Sequence, residues 1–269
     1  MYVAIDIGGT KTLVCVLTNE GVIREQVKFP TPRTYPAWLE ALQETLDGFE
    51  HQNFKAGGVA APGAIDRHTQ EVLNLGNLPW KNIMLAHDVA KITKCPMVME
   101  NDAKLAGLSE AMLVKQTYKR VLYITLSTGI GLGLTNNGHI DTDIGDAGGK
   151  AMMIEHEDKL VPWESFAAGS AIVKKYGKMA SEIDDAPTWK AIVRNLVPGF
   201  LELIAILEPE VIIVGGGAGR YLPKFHDFLV SDLKKYETPL LKIPPIQVAE
   251  RPDEAVIYGC YDYAKQHFA

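Results

Sequence analysis

The chain has 269 residues and 29.5 kDa, with 47% hydrophobic and 22% charged residues, a formal net charge of −6 and a mean hydropathy of +0.00. That length can bury one large core or two ordinary ones, and that balance excludes a disordered or membrane-embedded chain. The acidic total, with no Lys/Arg cluster gathered along a predicted helix, argues against a sequence-independent grip on nucleic acid.

In chain order, strands are predicted at 2–7, 12–18 and 22–28, the last stopped by Phe29-Pro30-Thr31-Pro32. The opening Met1-Tyr2-Val3-Ala4-Ile5 already reads as strand and leaves no room for a signal peptide. No apolar run approaches the roughly 20 residues of a spanning helix, so a cytoplasmic protein is expected. Between the first two strands lies Asp6-Ile7-Gly8-Gly9-Thr10-Lys11-Thr12. An acid, two glycines and two hydroxyls in a strand turn offer backbone N–H groups to phosphate and an oxygen to hydrated Mg2+. Taken alone, the same pattern also makes a plain tight turn.

Residues 36–50 set Trp38, Leu42, Leu46 and Phe49 on one helical face. A short buried strand, 56–61, ends in Pro62-Gly63, and a further strand, 97–100, gives way to a helix over 103–113. Asp102 stands at that junction. An Asp there is a good N-cap, yet with Asn101 beside it the pair can also hold vicinal hydroxyls and deprotonate one.

The second half repeats the first. Val121 to Leu126, then Ser127-Thr128-Gly129-Ile130-Gly131, then Leu132 to Leu134 reproduce strand, glycine and hydroxyl turn, strand. Both copies close on hairpin turns, at Glu20-Gly21 and Asn137-Gly138. One plan in two half-chains points to duplication, with two phosphate loops facing each other across a cleft. Helices follow at 163–176 and 188–207, the latter kinked or split at Pro198-Gly199. Strand 211–214 runs into Gly215-Gly216-Gly217-Ala218-Gly219, which is no dinucleotide fingerprint but can wall a flat base. A last helix occupies 254–266. Cys15, Cys95 and Cys260 lie far apart in apolar settings and read as core thiols.

The ordered series Asp6 to Lys11, Ala61 to Asp66, Gly76 to Trp80, Glu100 to Ala103, Ser127 to Gly131, Trp163 to Gly169 and Val214 to Gly217 resembles the ROK family of sugar kinases and sugar-responsive repressors, within the actin-like ATPase superfamily. The resemblance implies an α/β fold of two actin-like (ribonuclease H-like) domains, 1–115 and 116–269, around a central ligand cleft, the last helix free to pack back on the first domain. It implies transfer of the γ-phosphoryl group of Mg·ATP to a hydroxyl of a hexose or amino sugar. Asp102 would be the catalytic base. Asn101, Gly63, Ala64, Asn77 and Glu164 would line the sugar. Asp6 would hold Mg2+ through water, Gly8, Gly9, Thr10, Lys11, Ser127, Thr128 and Gly129 the phosphates, and Gly215, Gly216 and Gly217 the rest of the nucleotide. Partners would then be sugar and ATP, without nucleic acid or membrane, and relatives are commonly homodimers.

Departures from the family pattern fall in one loop. Relatives usually carry Ala-Gly-Glu-x-Gly-His there, with the Glu and the His touching the sugar; here the stretch is Ala147-Gly148-Gly149-Lys150-Ala151-Met152. Glu155-His156-Glu157-Asp158, just beyond, reads as a solvated acidic loop, or else Glu155 or His156 replaces the lost contacts. The losses leave open a non-catalytic sugar or nucleotide binder of the same fold. Polyphosphate as donor would want a basic track that the linear sequence lacks, and a repressor would carry a helix-turn-helix ahead of the first phosphate strand. Relatives also place a cysteine-rich zinc knot just downstream, whereas 153–162 contains no cysteine, so no zinc site is expected. The purified protein should therefore hold no stoichiometric zinc and keep its melting temperature in strong chelators; one zinc per chain by metal analysis would overturn this.

Overall fold

A computed structural model describes residues 1–76 and 78–268. The chain divides into two compact units, Met1–Ser109 with Glu254–Ala269, and Glu110–Asp253. The division falls inside a helix and returns the C-terminal segment to the first unit, so it differs from a boundary at 115/116.

The first unit opens with β1 (Tyr2–Ile7), β2 (Lys11–Leu17) and β3 (Ile23–Pro30), an antiparallel meander. β3 runs two residues beyond the predicted stop, and Pro30 pairs with Lys11. Proline is tolerated there because β3 is the edge strand, where a missing N–H costs no ladder bond. Helix α1 (Tyr35–Asp47) buries the expected Trp38, Leu42 and Leu46, and Phe49 follows it into the same core. Strand β4 (Ala56–Ala61), buried at every residue, pairs parallel with β1. A small hairpin, β5 (Ala64–Asp66) and β6 (Glu71–Asn74), and helix α2 (Leu85–Thr93) follow; all three are too short to announce themselves by periodicity. β7 (Met97–Asn101) pairs parallel with β4 and leads directly into α3 (Asp102–Val114), along which the division between units falls. The sheet order is β3-β2-β1-β4-β7.

The second unit has the same plan. β8 (Arg120–Leu126), β9 (Ile130–Asn136) and β10 (His139–Ile140) form the meander. Next comes a hairpin, β11 (Met153–His156) and β12 (Lys159–Pro162), where an acidic loop was expected. Its turn residues Glu157 and Asp158 both take positive φ, the geometry of a tight two-residue hairpin turn. The helical stretch after it is broken into α4 (Glu164–Ala167) and α5 (Gly169–Tyr176) by extended Ala168. α6 (Ala186–Leu207) is a single 22-residue helix through Pro198, neither split nor ended, with Asp185 capping it by accepting the Thr188 amide at 2.8 Å. Its buried face, from Trp189 to Ile204, outweighs the one hydrogen bond that proline removes. β13 (Val211–Gly215), α7 (Gly216–Gly219), α8 (Leu222–Lys234) and β14 (Ile246–Val248) complete a sheet of order β10-β9-β8-β13-β14, with β13 parallel to both neighbours. Buried Glu110 accepts the amides of Glu250 and Arg251 at 3.0 and 2.8 Å, tying the unit's first residue to its last loop.

The chain then re-enters the first unit as α9 (Ala255–Phe268), which packs on β1, β4 and β7. Cys15, Cys95 and Cys260 are buried free thiols, as core residues should be. No described helix is long and apolar enough to cross a membrane.

The seat of α9 on β4 has a specific requirement. A Cβ at Gly58 would collide with the carbonyl of Cys260, so helix and strand backbones lie in direct contact. Gly58→Ala should lower the unfolding free energy by about 1–3 kcal/mol, read as a lower melting temperature in calorimetry; an unchanged transition would refute the close contact.

Candidate active site

In the first unit, strand register places the predicted residues on one edge. Asp6 pairs with Ala60, Ala60 with Glu100, and Ala61 with Asn101, so the carboxyl ends of β1, β4 and β7 finish level with one another. That edge is where open α/β sheets gather their ligands. Asp6 is the penultimate residue of the first of these strands, and Asn101 ends the last, with Asp102 opening the helix after it.

Asn101 acts as the helix cap. Its Oδ1 accepts the amides of Ala103 at 2.9 Å and Lys104 at 3.3 Å, satisfying donors at the start of α3. Asp102, half-buried in the first turn, has its Oδ1 2.8 Å from the same Ala103 amide. The cap weighed for the aspartate in the sequence thus falls chiefly to its neighbour. Asn101 also donates from Nδ2 to the Gly63 carbonyl at 3.1 Å, which joins the β7 edge to the β4–β5 turn. Gly63 has φ +154 there, and a Cβ would run into the Asn74 carbonyl. Ala64, next in line, is exposed; Asn77 lies outside the described residues.

Behind this edge sits a pair that the sequence analysis missed. Arg67 grips the buried carboxylate of Glu100 through two nitrogens, Nε at 3.0 Å from Oε2 and a second toward Oε1, and Glu100 Oε1 also accepts the Asn101 amide at 2.7 Å. A bidentate pair desolvated on the Glu side holds the β5–β6 hairpin against the strand that carries Asn101-Asp102. The available signal was an acid directly after the apolar run Met97 to Met99, still within the strand, which demands a buried partner.

The first glycine turn is anchored at both ends. The Gly8 amide donates to the Lys11 carbonyl at 2.9 Å, and Thr31 donates its amide to Thr10 O at 3.0 Å and its hydroxyl to Gly8 O at 2.8 Å. Thr10 and Lys11 are exposed. The carboxyl pKa of half-buried Asp6 is pushed up to about 7, by burial first and then by the charge of Asp102, with Lys28 pulling the other way. Two like charges that cannot both ionise cheaply are a good place for a cation. Mg2+ takes one or two carboxylates, waters and substrate phosphates, and this donor set fits that habit. Among the described residues no group of three or more His, Cys, Asp or Glu could enclose a metal, as structural zinc requires.

In the second unit, Ser127-Thr128-Gly129 form the matching turn, closed by the Ser127 amide on Gly129 O at 3.0 Å. Gly169 donates to Ser127 O at 2.7 Å and Ser170 Oγ to Thr128 O at 2.6 Å, so the start of α5 is clamped onto the turn. Glu164 accepts the Ile130 amide at 3.2 Å, and its carboxylate lies over Gly129. Ser127, Thr128, Gly169, Ser170, Gly217 and Tyr221 line a cavity of about 420 Å³. Of the three predicted glycines, Gly217 opens onto this cavity, whereas Gly215 and Gly216 pack against Tyr123 and Thr125.

The altered loop has a steric cause. A Cβ at Gly149 would fall 2.8 Å from Ile130 Cβ and 3.4 Å from the Trp163 ring, so the position has no room for a glutamate. Met152 packs on the apolar core of this unit. His156 stacks flat on Phe166, ring centroids 4.1 Å apart, and Glu155 is exposed, so the hairpin is ordered by packing.

A pH dependence follows from Asp6. Its proton is held more tightly in the folded chain than in the unfolded one, so stability relative to Asp6→Asn falls as pH rises from about 3.8 through about 7. Without ligands the variant should melt higher than the parent at pH 8, with the gap closing toward pH 4; equal melting temperatures at pH 8 would refute the raised pKa of Asp6.

Known proteins share this architecture. The chain is 27% identical to N-acetyl-D-glucosamine kinase of Haemophilus influenzae, over 96% of this chain and 97% of that protein. It is 25% identical to glucokinase of Streptomyces coelicolor, over 99% and 98% respectively. The crystal structure of a ROK family glucokinase from Streptomyces griseus in complex with glucose and AMPPNP superposes with a TM-score of 0.79 at 23% identity, covering 98% of this chain and 99% of that one. The ROK family model matches residues 2–267, and the chain therefore belongs to the ROK family, with its actin-like α/β fold.

Proposed function

We propose that this protein is a sugar kinase that transfers the γ-phosphoryl group of ATP to a hydroxyl of a hexose or amino sugar. The observation that carries this reading is the shared edge of the first unit: a half-buried Asp102 beside Asn101 at the end of β7, level with Asp6 and the Gly8–Lys11 turn at the end of β1. Phosphoryl transfer needs mainly in-line positioning and charge neutralisation, and these groups supply both.

Asp102 takes the proton of the attacking hydroxyl as its oxygen bonds to the γ-phosphorus and the bond to the leaving ADP oxygen breaks. Asn101, with Oδ1 and one N–H already committed, has its second N–H for a neighbouring sugar hydroxyl, and Gly63 and Ala64 border the same edge. Asp6 would hold the hydrated Mg2+, which when bound neutralises phosphate charge. The amides of Gly9 and Thr10, within the turn from Gly8 to Lys11, and the turn Ser127–Gly129 take the phosphates, and the cavity at Gly217 takes the nucleoside. Glu164, spent on the Ile130 amide, serves the second turn as well as any sugar contact. ATP as donor places the reaction in the cytoplasm, with sugar and nucleotide as partners. A binder without turnover would have no use for a base at Asp102.

Transfer from Mg·ATP should be measured across hexoses, N-acetylhexosamines and ketoses, with polyphosphate as a second donor. Asp102→Asn should lower kcat by about 100- to 10,000-fold on the accepted sugar and leave its affinity nearly unchanged. A variant with close to full turnover would sink the assignment of the base.

A further inference from the structure

The first glycine turn is held by a directed chain of hydrogen bonds that begins deep in the core. Trp38 Nε1 donates to Thr12 Oγ1 at 3.0 Å, Thr12 and Thr31 hydroxyls lie 3.0 Å apart, and Thr31 Oγ1 donates to the Gly8 carbonyl at 2.8 Å. The direction is forced. Indole N–H can only donate, and the Thr31 proton is already committed to Gly8, so Thr12 donates to Thr31. Trp38 and Thr12 are fully buried and Thr31 is 8% exposed, so water does not compete along the chain. Successive bonds of one direction polarise each other.

The start of the chain is itself locked. Trp38 packs against Tyr35 and Trp80, with ring centroids 5.9 and 5.5 Å away, and Trp80 Nε1 donates to Arg33 O at 2.9 Å. The connection from β3 to α1 therefore holds Thr31 from both sides. Because a trans peptide points its N–H opposite its C=O, fixing the Gly8 carbonyl inward turns the Gly9 amide outward. Among the described residues, the Gly9 and Thr10 amides have no hydrogen-bond partner, while the Gly8 amide is spent on Lys11.

We propose that Thr31 is a positioning residue for phosphoryl transfer: its hydroxyl, oriented by Trp38 and Thr12, sets the Gly8–Gly9 peptide plane so that the Gly9 amide meets a phosphoryl oxygen. This rests on the kinase reading. Thr31 touches neither substrate nor metal; it acts through the backbone of the turn. Preorganised amides count because they need no rearrangement as charge develops.

The test compares Thr31→Val, which keeps the shape and removes the hydroxyl, with Thr31→Ser, which keeps the hydroxyl. With the full chain and Mg·ATP, Thr31→Val should lose about 10- to 100-fold in kcat/KM for ATP, with the sugar KM within about twofold, and Thr31→Ser should recover most of the loss. AMPPNP should shift the Gly9 amide resonance in the parent protein, and that shift should shrink in Thr31→Val. A folded Thr31→Val with parental ATP kinetics would overturn the proposal, as would a parent whose Gly9 amide ignores AMPPNP, a result that stands even if the valine variant does not fold. A parent that binds AMPPNP with the Gly9 shift yet phosphorylates no sugar would instead defeat the kinase reading.

Discussion

Three parallel strands that end level with one another are the constraint on which the first unit depends. The register of β1 with β4 and of β4 with β7 brings Asp6 and Asn101-Asp102 to one edge from positions about a hundred residues apart in sequence. The hydrogen-bond ladder tolerates no drift, since a one-residue slip of β7 would send each side chain to the opposite face. Glycine in β4 helps to keep the ladder flat against α9, with helix backbone resting where a side chain would otherwise stand.

Withdrawing Asp6 from water on that edge, with Asp102 as a second carboxylate nearby, has an electrostatic cost, visible in the raised pKa of Asp6. Natural proteins keep such conflicts where a ligand relieves them. The surrounding groups restrain the geometry in the ligand's absence: Asn101 caps α3, Arg67 and Glu100 tie the neighbouring hairpin to β7, and the Trp38–Thr12–Thr31 chain holds the glycine turn. The restraints come from three different elements and meet at one edge.

The second unit reproduces the plan with a different emphasis. Its glycine turn is clamped by the start of α5 and by Glu164, and its cavity is bordered by hydroxyls, Gly217 and Tyr221. The loop that departs from the family pattern is packed shut at Gly149 by Ile130 and Trp163. The departure at that position is thus a matter of space as well as of residue type.

Much of this was legible in the residues. The duplicated strand, turn, strand motif, the helical face of Trp38, Leu42 and Leu46, the strand at 56–61 and the family itself followed from periodicity and from motif order, because those signals are local or additive along the chain. Short elements such as β5, β6 and α2, the hairpin in place of an acidic loop, and the unbroken helix through Pro198 did not, because a few residues carry too little pattern and burial overrides propensity. Only tertiary structure decided that Asn101 takes the cap, that Arg67 finds Glu100, that Gly217 and not Gly215 or Gly216 opens onto the cavity, and that Thr31 reaches Gly8. Each of these is a contact between distant positions, and the direction of a hydrogen bond or the space around a glycine exists only once the chain has folded.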